Sequence, residues 1–174
     1  MGMYICVRLN GDGLGYRKTV VGLVWAVSVV GEIVWFFTQS RWLPMLSLTA
    51  WLSLCGAVMV VRMGLTATSA AVWPLLLLAQ CLHAFTFAAH HSVCIALLSH
   101  HFPGKLRGRG QALYAVLGYG LTGVLGGLFG GLLSARLGLV SVFWATLGTS
   151  VVATACAWRV WRLRHHPHEA AVVV

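Results

Sequence analysis

Five apolar blocks, separated by short polar or basic breaks, account for most of the chain. An α-helix rises about 1.5 Å per residue, so roughly 20 apolar residues cover a hydrocarbon core of about 30 Å. The pattern predicts spans over residues 19–39, 44–61, 74–99, 111–134 and 139–158. Residues 1–18 read as an amino-terminal remnant and loop. The run 1–7 is too short to span, nothing basic precedes it as in a signal peptide, and 10–15 is rich in turn formers. Residues 19–164 are expected to form one transmembrane domain and 165–174 a carboxyl-terminal tail. The fold class is therefore all-α, an integral membrane helical bundle of about five helices with no soluble domain.

The third block interrupts the apolar pattern most. Within it Gln80, His83, Phe87, His90 and Cys94 are spaced 3, 4, 3 and 4 residues apart. That spacing lays them on one face of a helix. Polar side chains in lipid cost several kcal/mol unless they face protein or water, so this face is expected to line a cavity. The first block holds Glu32, a carboxylate within an apolar stretch. Such an acid must be neutral, paired or wet. It reads either as a proton-coupling or solute-contacting group or as a structural partner of a neighbouring helix. The second block carries only Ser and Thr, as a peripheral, lipid-facing helix should. In the fourth block Gly123, Gly127 and Gly131 recur every fourth residue, with Gly126 and Gly130 on the adjacent stripe. This small-residue spacing lets membrane helices approach closely, so these glycines are expected to serve helix packing.

Composition agrees: 59% of residues are hydrophobic and 9% charged, against about 25% charged in soluble domains. The formal net charge of +9 does not point to nucleic acid, because the cations sit between apolar blocks and form no stripe. They set topology instead. Arg41, Lys105, Arg107, Arg109, Arg159, Arg162 and Arg164 fall on one side, read as inside; Arg8, Arg17, Lys18, Arg62 and Arg136 fall on the other. Of five cysteines, Cys55, Cys81, Cys94 and Cys156 lie in apolar blocks and Cys6 stands alone, with no CxxC pair; no disulfide framework is expected. A metal site would draw on Cys81, His83, His90, His91 and Cys94. These lack the spacing of known zinc sites, so no metal and no cofactor is expected. No nucleophile elbow occurs, which argues against an enzyme.

Several of these residues fall in an order that resembles a known family. They are Gly15-Tyr16, Gly22, Trp25, Val29-Val30 and Glu32; Arg62; Gln80, Leu82-His83, Thr86-Phe87 and His90; and Gln111-Ala112 with Tyr114. Over about residues 15–145 the chain resembles the carboxyl-terminal half of a major facilitator superfamily transporter, nearest the phenylpropionate permease group and the nucleoside/proton symporters. The resemblance implies that the five spans match the eighth to twelfth helices of a twelve-helix fold. It implies that the third lines a central cavity and that the second and fifth are peripheral. It further implies a bacterial inner membrane and proton-coupled uptake of a small organic solute, such as an aromatic acid. Glu32, Gln80, His83, Phe87 and His90 then become candidates for the solute and proton pathway. The expected partners are the lipid bilayer, protons, the solute, and a missing amino-terminal half or a second membrane chain. The alternative is a non-transporting fragment or membrane interaction module.

Overall fold

A computed structural model describes residues 18–69 and 72–165. The remnant expected before Lys18 and the tail residues 166–174 lie outside the described residues. Five helical segments are long and apolar enough to cross a membrane: Thr19–Met45, Leu48–Thr68, Trp73–His101, Gly104–Leu137 and Leu139–Arg164. The described residues are helical apart from short connections, and the protein is an all-α, multi-pass membrane bundle.

Three spans differ in extent from the pattern, the fifth because its helix runs Leu139–His165, past residue 158. Pro44 lies in a one-turn 3-10 segment, Leu43–Met45. The second helix then runs Leu48–Ser69, well past residue 61. Arg62 is therefore not a loop residue on the outer side. It is buried inside the second span, where groups of the third span satisfy its guanidinium. The fourth span begins before residue 111, with a turn at Gly104–Leu106 and a helix from Arg107. Gly110 permits this start, because a Cβ there would stand 2.8 Å from the ring of Phe102. Gly138, at φ 81°, then reverses the chain between the fourth and fifth helices.

Two further interruptions lie inside spans. The third breaks after the helix Trp73–Cys81, passes through a π-turn at Phe85–Ala89 and resumes as His90–His101. The fourth carries a π-turn at Ala115–Leu121. A π-turn bonds i to i+5 and inserts a residue, which rotates everything beyond it by roughly 100° relative to an unbroken helix.

Burial is concentrated in two clusters at opposite ends of the bundle. Val21, Val24, Ala67, Leu76, Leu139 and Phe143 join the first, second, third and fifth spans at one end. Trp35, Trp51, Cys55, Ala88, Ala89 and Val93 join the first three at the other. There Trp35 and Trp51 meet edge to face at 5.5 Å, and each indole N–H finds an acceptor: Ser92 Oγ at 3.2 Å and Leu43 O at 3.1 Å. Edge-to-face aromatic pairs with satisfied N–H groups are the favourable way to bury tryptophan.

The second and fifth spans form the most extensive helix pair. Gly56 makes this possible: a Cβ there would lie 2.6 Å from Thr154 Oγ1 and 3.2 Å from its Cα. The glycines of the fourth span behave differently. A Cβ at Gly123, Gly126, Gly127 or Gly131 would meet nothing within 4 Å, while Gly130 is buried. There is therefore room for a side chain at those four positions, so close backbone approach within the described chain does not require glycine there.

Gly56→Val should therefore weaken the bundle by about 1–3 kcal/mol through overpacking. Gly123→Ala should leave it unchanged or slightly firmer, given alanine's better helix propensity. Reversible unfolding in mild detergent, followed by circular dichroism, checks both. Equal losses in the two variants would contradict the packing described.

Candidate functional site

The first and third spans face one another through matched polar and aromatic positions. On the first, Ser28, Glu32 and Phe36 follow at four-residue intervals and share one face. The Ser28 hydroxyl donates to Gln80 Oε1 at 2.8 Å. Next along the helix, Glu32 Oε1 lies 2.9 Å from His83 Nε2, with side-chain exposures of 19% and 26%. Further on, Phe36 meets His91 edge to face with ring centres 6.4 Å apart. The bundle thus satisfies its intramembrane acid with an imidazole from the neighbouring span. The second ring nitrogen of His83 and the amide nitrogen of Gln80 have no hydrogen-bond partner among the described residues.

The rings of His83, Phe87 and His91 stack in sequence along the third span, at 5.6 and 6.3 Å and nearly parallel. An unbroken helix would place His90 closer than His91 to this line. The π-turn at Phe85–Ala89 changes the phase, so His91 takes the place expected for His90. His90 instead contacts Cys94 Sγ at 3.7 Å. It lines a cavity of about 520 Å3 with Cys55, Thr86, Thr146 and Ser150, between the second, third and fifth spans. The single face drawn through Gln80, His83, Phe87, His90 and Cys94 is accordingly split. Gln80 and His83 pair with the first span, Phe87 stays in the ring stack, His90 turns toward the second and fifth spans, and Cys94 bonds Tyr114 of the fourth span.

The fourth span closes the other flank. The Tyr119 hydroxyl and His91 Nδ1 share a hydrogen bond of 2.9 Å, and the hydroxyls of Tyr119 and Tyr114 stand 3.3 Å apart. These tyrosines are five residues apart, Tyr114 just before the second π-turn and Tyr119 within it, and its i to i+5 geometry puts them on one face. Three spans thus converge on a strip with a carboxylate–imidazole pair at one end. A histidine and two phenols stand at the other, with Phe36 and Phe87 between them. Phe36 and Tyr119 were not singled out in the sequence, His91 was weighed only as a metal ligand, and Tyr114 entered only through the family resemblance. For the tyrosines, the i, i+5 spacing was the available signal.

Chemically, Glu32 and His83 can hold one exchangeable proton between them. With the imidazole neutral and the carboxylate ionised the pair carries a charge of −1. Gain of one proton at either atom makes it neutral overall, and a neutral pair is far less costly inside a membrane. Among the described residues no three His, Cys, Asp or Glu side chains gather as a metal site would require.

Removing one member leaves a half-buried polar group without its partner. Glu32→Leu and His83→Leu should each destabilise the bundle by about 1–3 kcal/mol, while the double variant should lose less than the sum. A double-mutant cycle on detergent unfolding measures the coupling, and strict additivity would show that the two groups do not interact.

Comparison with known proteins places this geometry. Over 130 residues the chain is 29% identical to a protein of Escherichia coli (strain K12) described as a probable 3-phenylpropionic acid transporter. The match covers 75% of this chain and 34% of that protein, so the chain spans about a third of its relative's length. No solved structure matches. The family model of the MFS_1-like proteins matches residues 4–145. The chain, a bundle of membrane-spanning helices crossed by a paired acid and imidazole, belongs to the MFS_1-like family of the major facilitator superfamily.

Proposed function

We propose that the chain is the carboxyl-terminal part of a proton-coupled transporter, rather than an enzyme, and carries a small organic acid across a bacterial inner membrane. The observation that carries this reading is the Glu32–His83 pair at 2.9 Å, half-buried inside two spans. Protonation brings the pair from −1 to neutral and so changes its attraction to the buried Arg62 guanidinium, which acts on both groups. Coupling follows when the loaded, protonated form reorients and the unloaded, ionised form does not.

The remaining strip suits an acid with an apolar or aromatic body. Phe36 and Phe87 offer ring faces, and Phe87 is open to the strip. His91, Tyr114 and Tyr119 place hydrogen-bond donors at the far end, where a carboxylate would be held. Aromatic acids such as 3-phenylpropionate have this form, and the Escherichia coli relative is described as a transporter of that compound. The opposing wall comes from an amino-terminal half or a second membrane chain, since transporters of this architecture hold solute between two repeats. The low burial of the fourth span also favours a second reading, a membrane interaction module that docks on another chain without transporting.

Vesicles holding the inserted chain assembled with the membrane chain that supplies its opposing wall, with and without an inward proton gradient, test the proposal with labelled 3-phenylpropionate. The expected result is gradient-driven uptake that falls about a hundredfold or more in Glu32→Gln, in line with loss of a proton-transfer group. Uptake that ignores both the gradient and Glu32→Gln would refute the coupling role. No uptake by inserted protein would favour the interaction module.

A further inference from the structure

Arg62 is buried to within 4% in the second span, close enough for its charge to act on both Glu32 and His83. A guanidinium in the membrane interior persists only where its donors are satisfied. Its Nε donates to Ala79 O at 3.0 Å, and its Nη1 donates to Thr86 Oγ1 at 3.2 Å. Neither partner is a carboxylate, so this is not an ion pair holding two helices together.

The placement of those acceptors is informative. Ala79 lies in the last turn of the helix Trp73–Cys81. The last carbonyls of a helix lack intrahelical donors and carry the negative end of its dipole, where a cation is favoured. Arg62 therefore caps this half-helix from a neighbouring span. Thr86 lies beyond the break, in the π-turn Phe85–Ala89. Its hydroxyl accepts from Arg62 and donates its own proton to His83 O at 3.2 Å. Ala79 and Thr86 thus bracket His83, four residues before it and three after.

We propose that Arg62 is a positioning residue: its guanidinium splints the break in the third span and so fixes the backbone from which His83 reaches Glu32. A planar fork with donors in fixed directions can hold two acceptors on opposite sides of a break, whereas an ammonium is a point charge on a flexible stem. The importance of this for transport rests on the reading above. The contact itself does not, and it can be read directly from the Glu32–His83 hydrogen bond.

The test uses the full chain in lipid nanodiscs, with 15N-labelled histidine and tryptophan. The His83 ring signal is assigned by its loss in His83→Gln. The Trp35 indole N–H, bonded to Ser92 in the same bundle, serves as the internal control. In Thr86→Val, which removes one arm of the splint and leaves the guanidinium in place, the His83 signal should shift or disappear while that of Trp35 stays. Arg62→Gln and Arg62→Lys should do the same. An unchanged His83 signal in Thr86→Val and Arg62→Gln would overturn the proposal. So would equal displacement of the His83 and Trp35 signals, which would mean that Arg62 serves only the stability of the bundle. Should Arg62→Gln fail to fold, Thr86→Val decides alone.

Discussion

Hydrocarbon offers no hydrogen bonds, so each polar group inside a span must find its partner within the protein. This constraint shapes the first three spans. Ser28 bonds Gln80, Glu32 bonds His83, Trp35 bonds Ser92, and Arg62 bonds Ala79 and Thr86. Each bond crosses between helices, and each involves the third span. Apolar contact with a neighbouring helix is little better than contact with lipid tails. Directional bonds therefore set the rotation and depth of these helices more than greasy packing does.

The breaks in the third and fourth spans follow from the same requirement. Interrupting a membrane helix exposes backbone groups, which is tolerated where neighbouring side chains satisfy them. Arg62 and Thr86 meet that need in the third span. In return the π-turn swings His91 into line with His83 and Phe87. In the fourth span Tyr114 and Tyr119 come to share a face. Irregular backbone at membrane depth is thus found where chemically capable side chains gather, as in transporters with discontinuous helices.

The bundle is also lopsided. Its second and fifth spans are closely paired, with Gly56 against Thr154. Almost none of the fourth is buried.

Hydrophobic run length by itself determined the five spans and the all-α membrane class, because the thickness of a bilayer translates directly into residue count. The residue types and order also marked Glu32, Gln80, His83 and Phe87 as polar or aromatic features worth following, and the family they resemble. Only the tertiary structure decided which of them meet. A helical period carried through the third span assumes an unbroken helix, and the π-turn at Phe85–Ala89 breaks that assumption. His91 rather than His90 therefore joins the strip. Arg62 was assigned to a loop because a cation ends most apolar runs; acceptors contributed by another span let it sit inside one. The role of Tyr119 depends on the approach of the fourth span to the third, which no local pattern encodes. Local sequence specifies how far a helix can extend, and long-range hydrogen bonding specifies where it turns.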